Sequence, residues 1–444
     1  MIAAAVEYMR RLRADPAAAI DDAGRLEGGL RRAGVTFAGE PMRSFLRPHL
    51  VGREAWQGLR ADARRLLELA ARVARQAFDG DAARLCVYLG LPEREARWIV
   101  PDPGPPDVLL SRIDAFLTPA GPRFVEINSD APAGFGYGDR MAEIFAELPS
   151  FRAFARDVTV RYTPSAPPLV AAIVEAWGAS GGSGTPVVAI VDWADVKTRA
   201  DQEILREVFE ARGVACRLAD PRELERRSGR LFAGPSAIDV VYRRALLSEL
   251  AARQTETAAL LESYARREAL FVNSFRCQLS EDKILLSILT DEAFASLLDE
   301  AERAFVAAVV PWTRKLEERR TLRNGARIDL IPHVLERRAE LVLKPAHAYG
   351  GQSVLLGAET QPAVWERAVH AAVGGAWVVQ ERVAIPEEEF PVVEDGRLSF
   401  EPLKLNANPF YVAGAEAGGI ARVSRSAVIN VSAGGGSVPS FVVD

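Results

Sequence analysis

Four polar side chains on two predicted strands have the types and spacing of a magnesium site for phosphate chemistry. In the segment RFVEINSD, Glu126 and Asn128 are two residues apart, so both side chains leave the same face of the strand. Arg112 and Asp114 share that spacing on the preceding strand, which the TPAGP turn joins to this one. Carboxylate and amide oxygens are hard ligands suited to Mg²⁺, and a neighbouring guanidinium stabilises phosphate charge. An E-x-N pair alone is more often part of a half-solvated strand, but the aligned R-x-D favours a metal site.

Lysine is rare in this chain. Of 55 basic residues, 50 are arginines, and the five lysines are Lys197, Lys283, Lys315, Lys344 and Lys404. A chain biased towards arginine retains lysine where a compact ammonium is needed, although a solvated surface cation is the commoner role of any one lysine. We predict Lys315 to be such a surface residue, whereas Lys404, in EPLKLNANPF, is a further candidate for a cleft.

Lys344 ends an apolar strand and precedes a loop that contains Gly350, Gly351 and Gln352. An ammonium that faces the backbone N–H groups of a glycine loop can clamp a phosphate. The alternative is an ordinary hairpin with a surface lysine. The loop is not a P-loop, because G-x-x-x-x-G-K-[ST] is absent from the sequence.

Other polar residues have two interpretations each. Gln380 and Glu381 end the strand WVVQERVAI, where they would present backbone groups to an adenine and a carboxylate to a ribose, or form an exposed pair. Arg243 and Arg244 would bind the carboxylate of an acidic substrate or form structural salt bridges.

We expect His347 to bond to backbone rather than to phosphate. The three cysteines, which are predicted to be small core residues without a catalytic role, are Cys86, Cys216 and Cys277.

Together these motifs resemble the ATP-grasp family. The resemblance rests on Lys283 in SEDK, Lys344 in LVLKP followed by YGGQSV, a hinge at QERV, and E-x-N. Because E-x-N precedes both lysines, the order is similar to that of the circularly permuted ATP-grasp group that contains glutathionylspermidine synthase. The VVYRR segment resembles the domain that precedes the lid in its type 2 members. The likeness covers about residues 100 to 444. The N-terminal amidase domain of bifunctional glutathionylspermidine synthases has no counterpart in this sequence. The ending G-G-I-A-R…N also matches, through Gly418, Gly419, Arg422 and Asn430.

The resemblance implies ATP and Mg²⁺ as cofactors, and it implies a role for each matched residue. The implied ligands of the nucleotide are Lys283, Lys344, Gly350, Gly351, Gln352, Gln380, Glu381 and Val383. The implied metal ligands are Asp114, Glu126 and Asn128. The implied catalytic residues, which stabilise the transferring group, are Arg112 and Arg422.

The implied activity is that of a ligase that joins a small-molecule or peptide carboxylate to an amine through an acylphosphate. No protein nucleophile is needed, in agreement with the lack of a Cys/His or Ser/His/Asp arrangement. Two alternatives stay open: an ATP-grasp phosphotransferase acting on a hydroxyl, and a non-catalytic nucleotide-binding partner protein. The substrates and the oligomeric state are left open too.

The predicted fold class is α/β (α+β), a circularly permuted ATP-grasp fold with a small doubly wound domain. A helical N-terminal region (1–100) has one apolar stripe from Trp56 to Ala77. The metal-binding part of the core (101–165) precedes an α/β domain (186–268) with a βαβ rhythm. The lid and nucleotide-binding subdomain covers 269–385, with Ser280 as the predicted N-cap of the SEDKILLSIL helix, and 386–444 completes the core.

Composition excludes several classes of protein. The net charge of −5 gives no general attraction to nucleic acid. No apolar stretch approaches the roughly 20 residues needed to cross a bilayer, and an early Glu7 interrupts any signal sequence. Three widely spaced cysteines exclude a disulfide framework and fit a reducing cytoplasm. We therefore expect a cytoplasmic protein without nucleic-acid or membrane partners.

Overall fold

The computed structural model describes residues 1–101, 104, 107–347, 353–429 and 434–444. Gly350, Gly351 and Gln352 of the predicted phosphate loop lie outside the described residues, and so does Asn430. Among the described residues, no helix combines the length and the apolar character that a membrane crossing needs.

The N-terminal region is mainly helical, but it also supplies a strand to the largest sheet. The predicted stripe on its long helix is buried from Trp56 to Val73. The region is mainly helical as predicted, and three short strands interrupt it. The elements are α1 (Ala3–Ala14), α2 (Pro16–Arg32), β1 (Thr36–Phe37), β2 (Glu40–Pro41), β3 (His49–Gly52), α3 (Arg53–Gln76), a 3₁₀ turn (Ala77–Gly80), α4 (Ala82–Leu89) and α5 (Glu93–Ile99).

The next segment contains the predicted metal hairpin. Its two strands pair antiparallel with a bulge after Asp114, as the alternating pattern and the turn predict. Ile113 and Ile127 are cross-strand partners, and both are buried in the core that contains the apolar stripe of α3. The other face of the hairpin is therefore left to its polar residues. The elements are β4 (Leu110–Thr118), β5 (Gly121–Asn128), α6 (Phe135–Glu147), α7 (Pro149–Asp157), β6 (Val160–Arg161) and α8 (Ala166–Ala179).

A four-stranded parallel sheet follows, and it confirms the predicted βαβ rhythm. Its strand order is β13-β12-β7-β8, and β9 to β11 form a separate antiparallel meander. Its edge strand β13 begins the segment predicted as the lid. The elements are β7 (Val188–Val191), α9 (Arg199–Ala211), β8 (Cys216–Ala219), a 3₁₀ turn (Pro221–Glu223), β9 (Leu224–Arg227), β10 (Arg230–Ala233), β11 (Ser236–Ile238), β12 (Val240–Arg243), α10 (Leu247–Ala252), α11 (Ala258–Ala265) and β13 (Leu270–Val272).

The segment predicted as the lid contains an antiparallel sheet of order β14-β19-β17-β18. The helix that begins at Lys283 is capped by Asp282, whose side chain accepts from the Ile284 N–H. The predicted cap Ser280 is wrong, because it lies inside the preceding short helix. The elements are α12 (Cys277–Glu281), α13 (Lys283–Thr290), a 3₁₀ helix (Glu292–Leu297), α14 (Glu300–Val309), β14 (Thr313–Lys315), β15 (Arg320–Arg323), β16 (Ala326–Asp329), α15 (Leu330–Glu336), a 3₁₀ turn (Arg338–Glu340), β17 (Leu341–Pro345), β18 (Leu355–Leu356), α16 (Pro362–Ala372) and β19 (Trp377–Glu381).

The last segment completes the largest sheet, whose order is β3-β23-β22-β21-β4-β5. β20 also pairs with β21, and β6 with β23. This order places β21 directly beside β4, so residues from the two parts of the chain meet on one surface. The elements are β20 (Glu387–Glu394), β21 (Arg397–Val412), β22 (Gly419–Ser424) and β23 (Gly436–Val443).

Candidate active site

The β4–β5 hairpin brings the four predicted residues onto one face. In its register Asp114 is opposite Glu126, and Arg112 is opposite Asn128. Directly opposed residues of an antiparallel pair project to the same side of the sheet. The predicted juxtaposition of these side chains is confirmed.

Asp114 is the centre of this polar face. Its Oδ1 lies 3.3 Å from the Nε of Arg112 and accepts from the Nδ2 of Asn408 at 2.9 Å and of Asn128 at 3.4 Å. Its Oδ2 accepts from the guanidinium of Arg422. Burial opposes ionisation of Asp114, but Arg422 and Arg112 together hold the pKa of its carboxyl below the usual range. Asp114 is therefore an ionised carboxylate at neutral pH.

Two asparagines of β21, Asn406 and Asn408, belong to this network, although they are not among the predicted site residues. Asn408 donates to Asp114 and to the Oδ1 of Asn406 at 2.6 Å, and its Oδ1 accepts from the Nε of Arg422 at 3.2 Å. Both asparagines are buried. The alternation in LNANPF places them on one face of a strand, which is the signal that could have found them.

Lys283 reaches the hairpin from the first turn of α13. Its Nζ lies 2.7 Å from Oε1 of Glu126 and donates to the carbonyl of Ala346 at 3.4 Å. Burial disfavours the ammonium, but Glu126 outweighs it and raises the pKa of Lys283. A cation in the first turn of a helix opposes the helix dipole, so this position is unusual without an anionic partner.

Lys344, in β17, approaches β5, the strand that carries Glu126. Its Nζ donates to the Oε1 of Gln380 at 2.7 Å and to the carbonyl of Val125 at 3.5 Å. Within the described residues it forms no ion pair, and burial lowers its pKa to about 8, with Lys283 adding to the shift. Lys344 is thus a cation that a nearby anion would stabilise strongly.

The predicted hinge residues have distinct surroundings. Gln380 is buried, and its amide bonds to Lys344 and to the Oγ1 of Thr313 at 2.9 Å, so its side chain orients the lysine. Glu381 lies 3.7 Å from Arg123 and 3.9 Å from Arg323. Val383 follows the end of β19, outside the strands. The segment after β19 is the place where backbone groups could face a base.

Two other lysines do not join this group. The prediction that Lys315 is a surface residue is wrong, because its side chain is 14% exposed, lies over the Tyr88 ring and donates to the Tyr88 carbonyl at 2.8 Å. The Nζ of Lys404 lies 3.1 Å from Glu387 and donates to the carbonyl of Arg425 at 3.4 Å.

Arg243 and Arg244 form structural salt bridges, which settles their two interpretations. Arg243 pairs with Asp130 at 2.5 Å, and Arg244 pairs with Asp201 at 3.0 Å, with all four side chains buried. His347 bonds to the Leu89 carbonyl at 3.1 Å, as predicted, and also to Asp282 at 2.9 Å. Burial opposes protonation of this imidazole, but Asp282 raises its pKa. The three cysteines are buried and free.

The donor set fits a magnesium ion. Asp114 and Glu126 supply carboxylate oxygens on one face, and Asn128 uses its Nδ2 for hydrogen bonds, which leaves its Oδ1 as the atom suited to a cation. The described residues contain no group of three or more His, Cys, Asp or Glu side chains that could hold a metal ion. A site here would therefore be completed by the amide and by oxygens of the nucleotide.

Comparisons with known proteins identify the fold. No protein-family model matches the chain, and no curated protein matches its sequence. Among solved structures, the chain is similar to a glutathione synthetase-like effector from Globodera pallida, at 12% identity and a TM-score of 0.62, over 96% of this chain and 97% of that one. The two chains share a fold. It is a mixed α/β fold, shared with that glutathione synthetase-like effector.

A second solved structure is a putative gamma-glutamylcysteine synthetase from Methylobacillus flagellatus. It is 12% identical, with 86% of each chain covered and a TM-score of 0.43. A likeness at that TM-score carries no structural argument.

Proposed function

We propose that this chain is an ATP- and Mg²⁺-dependent ligase of the circularly permuted ATP-grasp type, which joins a carboxylate to an amine through an acylphosphate. One observation carries the proposal. Lys283 and Lys344, from different parts of the fold, both contact β5 beside the predicted metal face. The likeness to a glutathione synthetase-like protein supports amide-bond formation as the reaction class.

The charges of the site suit a metal–triphosphate complex. The two ammonium groups would neutralise phosphate oxygens, and Arg112 and Arg422 would stabilise charge on the transferring group. Asp114, Glu126 and Asn128 would hold Mg²⁺, which would supply Lewis-acid chemistry for phosphoryl transfer. No residue of the chain needs to become covalently modified.

The reaction has two steps. A carboxylate oxygen of the first substrate attacks the γ-phosphorus of ATP, the bond to the β,γ-bridging oxygen breaks, and ADP leaves. The amine nitrogen of the second substrate then attacks the acyl carbon, phosphate leaves, and the nitrogen loses a proton. Small-molecule or peptide carboxylates and amines are the substrate classes that this chemistry accepts.

A product-trapping assay tests the proposal. Candidate carboxylates are incubated with the chain, Mg·ATP and hydroxylamine, and both ADP and hydroxamate are measured. Carboxylate-dependent formation of both products supports an acylphosphate. ADP without hydroxamate, together with a phosphorylated hydroxyl compound, would favour a phosphotransferase. Failure of every carboxylate to stimulate ADP release, in a chain that binds Mg·ATP, would favour a non-catalytic nucleotide-binding protein.

A further inference from the structure

The dipeptide Ser129-Asp130, directly after the predicted ligand Asn128, is held by residues from outside its own sheet. The carboxylate of Glu281 accepts from both backbone N–H groups, at 2.6 Å from that of Asp130. Glu281 ends α12, and it lies two residues before Lys283. One side chain therefore joins the end of the metal strand to the segment that presents the first lysine.

Asn273 makes a second connection at the same place. It follows β13 of the parallel sheet, and all its polar groups are satisfied. Its Oδ1 accepts from the N–H groups of Leu109 and Leu110 at 2.7 and 3.1 Å, and its Nδ2 donates to the carbonyls of Leu110 and Ser129 at 2.7 and 2.6 Å. This buried amide thus bridges the start of β4 and the end of β5.

Asp130 anchors the dipeptide from the other side. Its carboxylate pairs with Arg243 of β12, accepts from the Nε2 of Gln278 at 3.2 Å, and accepts from the Leu247 N–H at 3.3 Å. Because these groups are buried, each broken bond would leave an unsatisfied polar atom. The dipeptide is consequently fixed to the parallel sheet and to α12 together.

We propose that Asn273 and Glu281 are positioning residues, which hold the end of β5 and the start of α13 in a fixed relative position. This inference rests on the proposed function, since it explains how Lys283 stays aligned with Glu126 and Asn128. β5 belongs to the largest sheet and α13 is a helix, so no strand pairing joins them, and their alignment depends on side-chain contacts such as these. Reactions that rely on positioned charges are sensitive to displacements of about 1 Å.

The test compares Glu281 with Asp139, a second carboxylate that accepts hydrogen bonds from consecutive backbone N–H groups. Like Glu281, Asp139 is half-buried and accepts from two consecutive backbone N–H groups, those of Ser165 and Ala166 at 2.8 Å. None of its partners is a predicted site residue. Glu281→Ala and Asp139→Ala therefore each remove an acceptor of two consecutive N–H groups, inside and outside the connection, and Asp139→Ala also removes a hydrogen bond from the Tyr162 hydroxyl. Glu281→Gln, which keeps an acceptor oxygen, is the conservative variant.

Hydrogen exchange provides a measurement that needs no ligand. In Glu281→Ala, amides of both 124–130 and 283–290 should exchange faster, while Asp139→Ala should leave both segments unchanged. Affinity for Mn²⁺·ATP, measured by electron paramagnetic resonance, should fall about tenfold in Glu281→Ala, which is the size of effect expected when a residue that supports metal ligands is removed. The affinity should recover in Glu281→Gln.

The outcomes separate this inference from the proposed function. Faster exchange confined to residues 129 and 130 would overturn the positioning role, and so would equal Mn²⁺·ATP affinity in wild type and Glu281→Ala. If the wild type binds no nucleotide, the proposed function fails, and the exchange comparison still decides the positioning role. If Glu281→Ala does not fold, Glu281→Asp, one methylene shorter, must give the same coupled change in exchange, or the inference fails.

Discussion

The Nζ of Lys283 lies 2.7 Å from Oε1 of Glu126, and this ion pair joins a predicted phosphate ligand to a predicted metal ligand. Glu126 is negatively charged and is expected to bind the metal cation, whereas Lys283 is positively charged and is expected to bind a phosphate. A cation at Glu126 and a phosphate at Lys283 would replace the pair with two attractive contacts. When metal and nucleotide bind together, each group of the pair therefore keeps a partner of opposite charge.

The first prediction concerns Glu126. We expect Glu126→Ala to lower the rate of ADP release by about 10²-fold or more, because the metal and Lys283 both lose a charged partner. The chain should still fold, with a lower midpoint of thermal unfolding, because Lys283 loses the carboxylate that offsets its burial.

Glu387→Ala is the matched control for this variant, because Glu387 also pairs with a lysine, Lys404, at 3.1 Å. It should leave turnover unchanged. A folded Glu126→Ala chain with wild-type turnover would contradict the metal assignment.

The second prediction concerns the shape of the ammonium at Lys344. Lys344→Arg keeps the charge but replaces a compact group with a wide planar one, beside Gln380 and the backbone of β5. We expect nucleotide affinity to fall at least tenfold, or about 1.4 kcal/mol, by calorimetric titration.

Lys197→Arg is the control for this exchange, because Lys197 is exposed. Lys315 does not serve, since its packing on Tyr88 makes a stability change expected there. Equal nucleotide affinities in wild type and Lys344→Arg would exclude Lys344 from the nucleotide site.

The third prediction follows from the pKa of Lys344, which burial lowers from 10.5 to about 8. The lowered pKa means that the folded chain disfavours the protonated form of Lys344. The contribution of this group to the free energy of unfolding therefore increases as the pH rises from 8 towards 10.5. A bound phosphate would reverse the shift. We therefore expect proton uptake on Mg·ATP binding above pH 8, and affinity that falls as pH rises through this range.

Titrations at pH 8.5 in buffers with different ionisation enthalpies measure that uptake. Lys344→Arg, which stays charged throughout, should take up no proton at this step. Identical uptake in both chains would assign the proton to another group.

The fourth prediction concerns Asn408, which bonds to both Asp114 and Arg422. Asn408→Asp places a second carboxylate against Asp114 in a buried site. We expect a loss of about 2 kcal/mol in the free energy of unfolding, and a fall in kcat/KM.

Asn324→Asp, in an exposed turn with a positive φ of 51°, is the control, because aspartate tolerates that conformation. Urea unfolding measures both variants. An unchanged unfolding midpoint in Asn408→Asp would show that Asp114 is not ionised beside it.

The fifth prediction concerns the segment between β17 and β18, which directly follows Lys344. We expect a non-hydrolysable ATP analogue with Mg²⁺ to increase the protection of amides 345–354 in hydrogen exchange. Residues 52–80, on the N-terminal helix, should not respond. A valine at Gly351 should reduce this protection, because its bulk restricts approach of the backbone to phosphate. No response in 345–354 would place the phosphates elsewhere.

Local patterns were sufficient to predict the hairpin that carries Asp114 and Glu126, because both the alternation and the turn lie within a few residues. The βαβ unit was predictable for the same reason. By contrast, β3 has four residues and pairs with a strand from the opposite end of the sequence, so tertiary contacts alone determine it.

The side-chain networks were less predictable than the strands. The pattern of LNANPF indicates one face for Asn406 and Asn408, but it does not reveal Asp114 as their partner. The sequence around Lys315 does not distinguish it from a surface lysine. Its burial is explained only by its contact with Tyr88, which is far away in the sequence. Asp282 and Ser280 are both good capping residues, and the choice depends on where α13 packs.

The parallel pairing of β3 with β23 has a consequence for how the protein is made. His49 is the register partner of Ser440, so β3 must wait for a strand that is synthesised 391 residues later. On the ribosome, β23 would emerge after every other strand of this sheet, and β3 and β22 cannot be joined before then. Closure of this part of the sheet must therefore wait for β23, and until β23 pairs, the edges of β3 and β22 are open to chaperones or to other nascent chains.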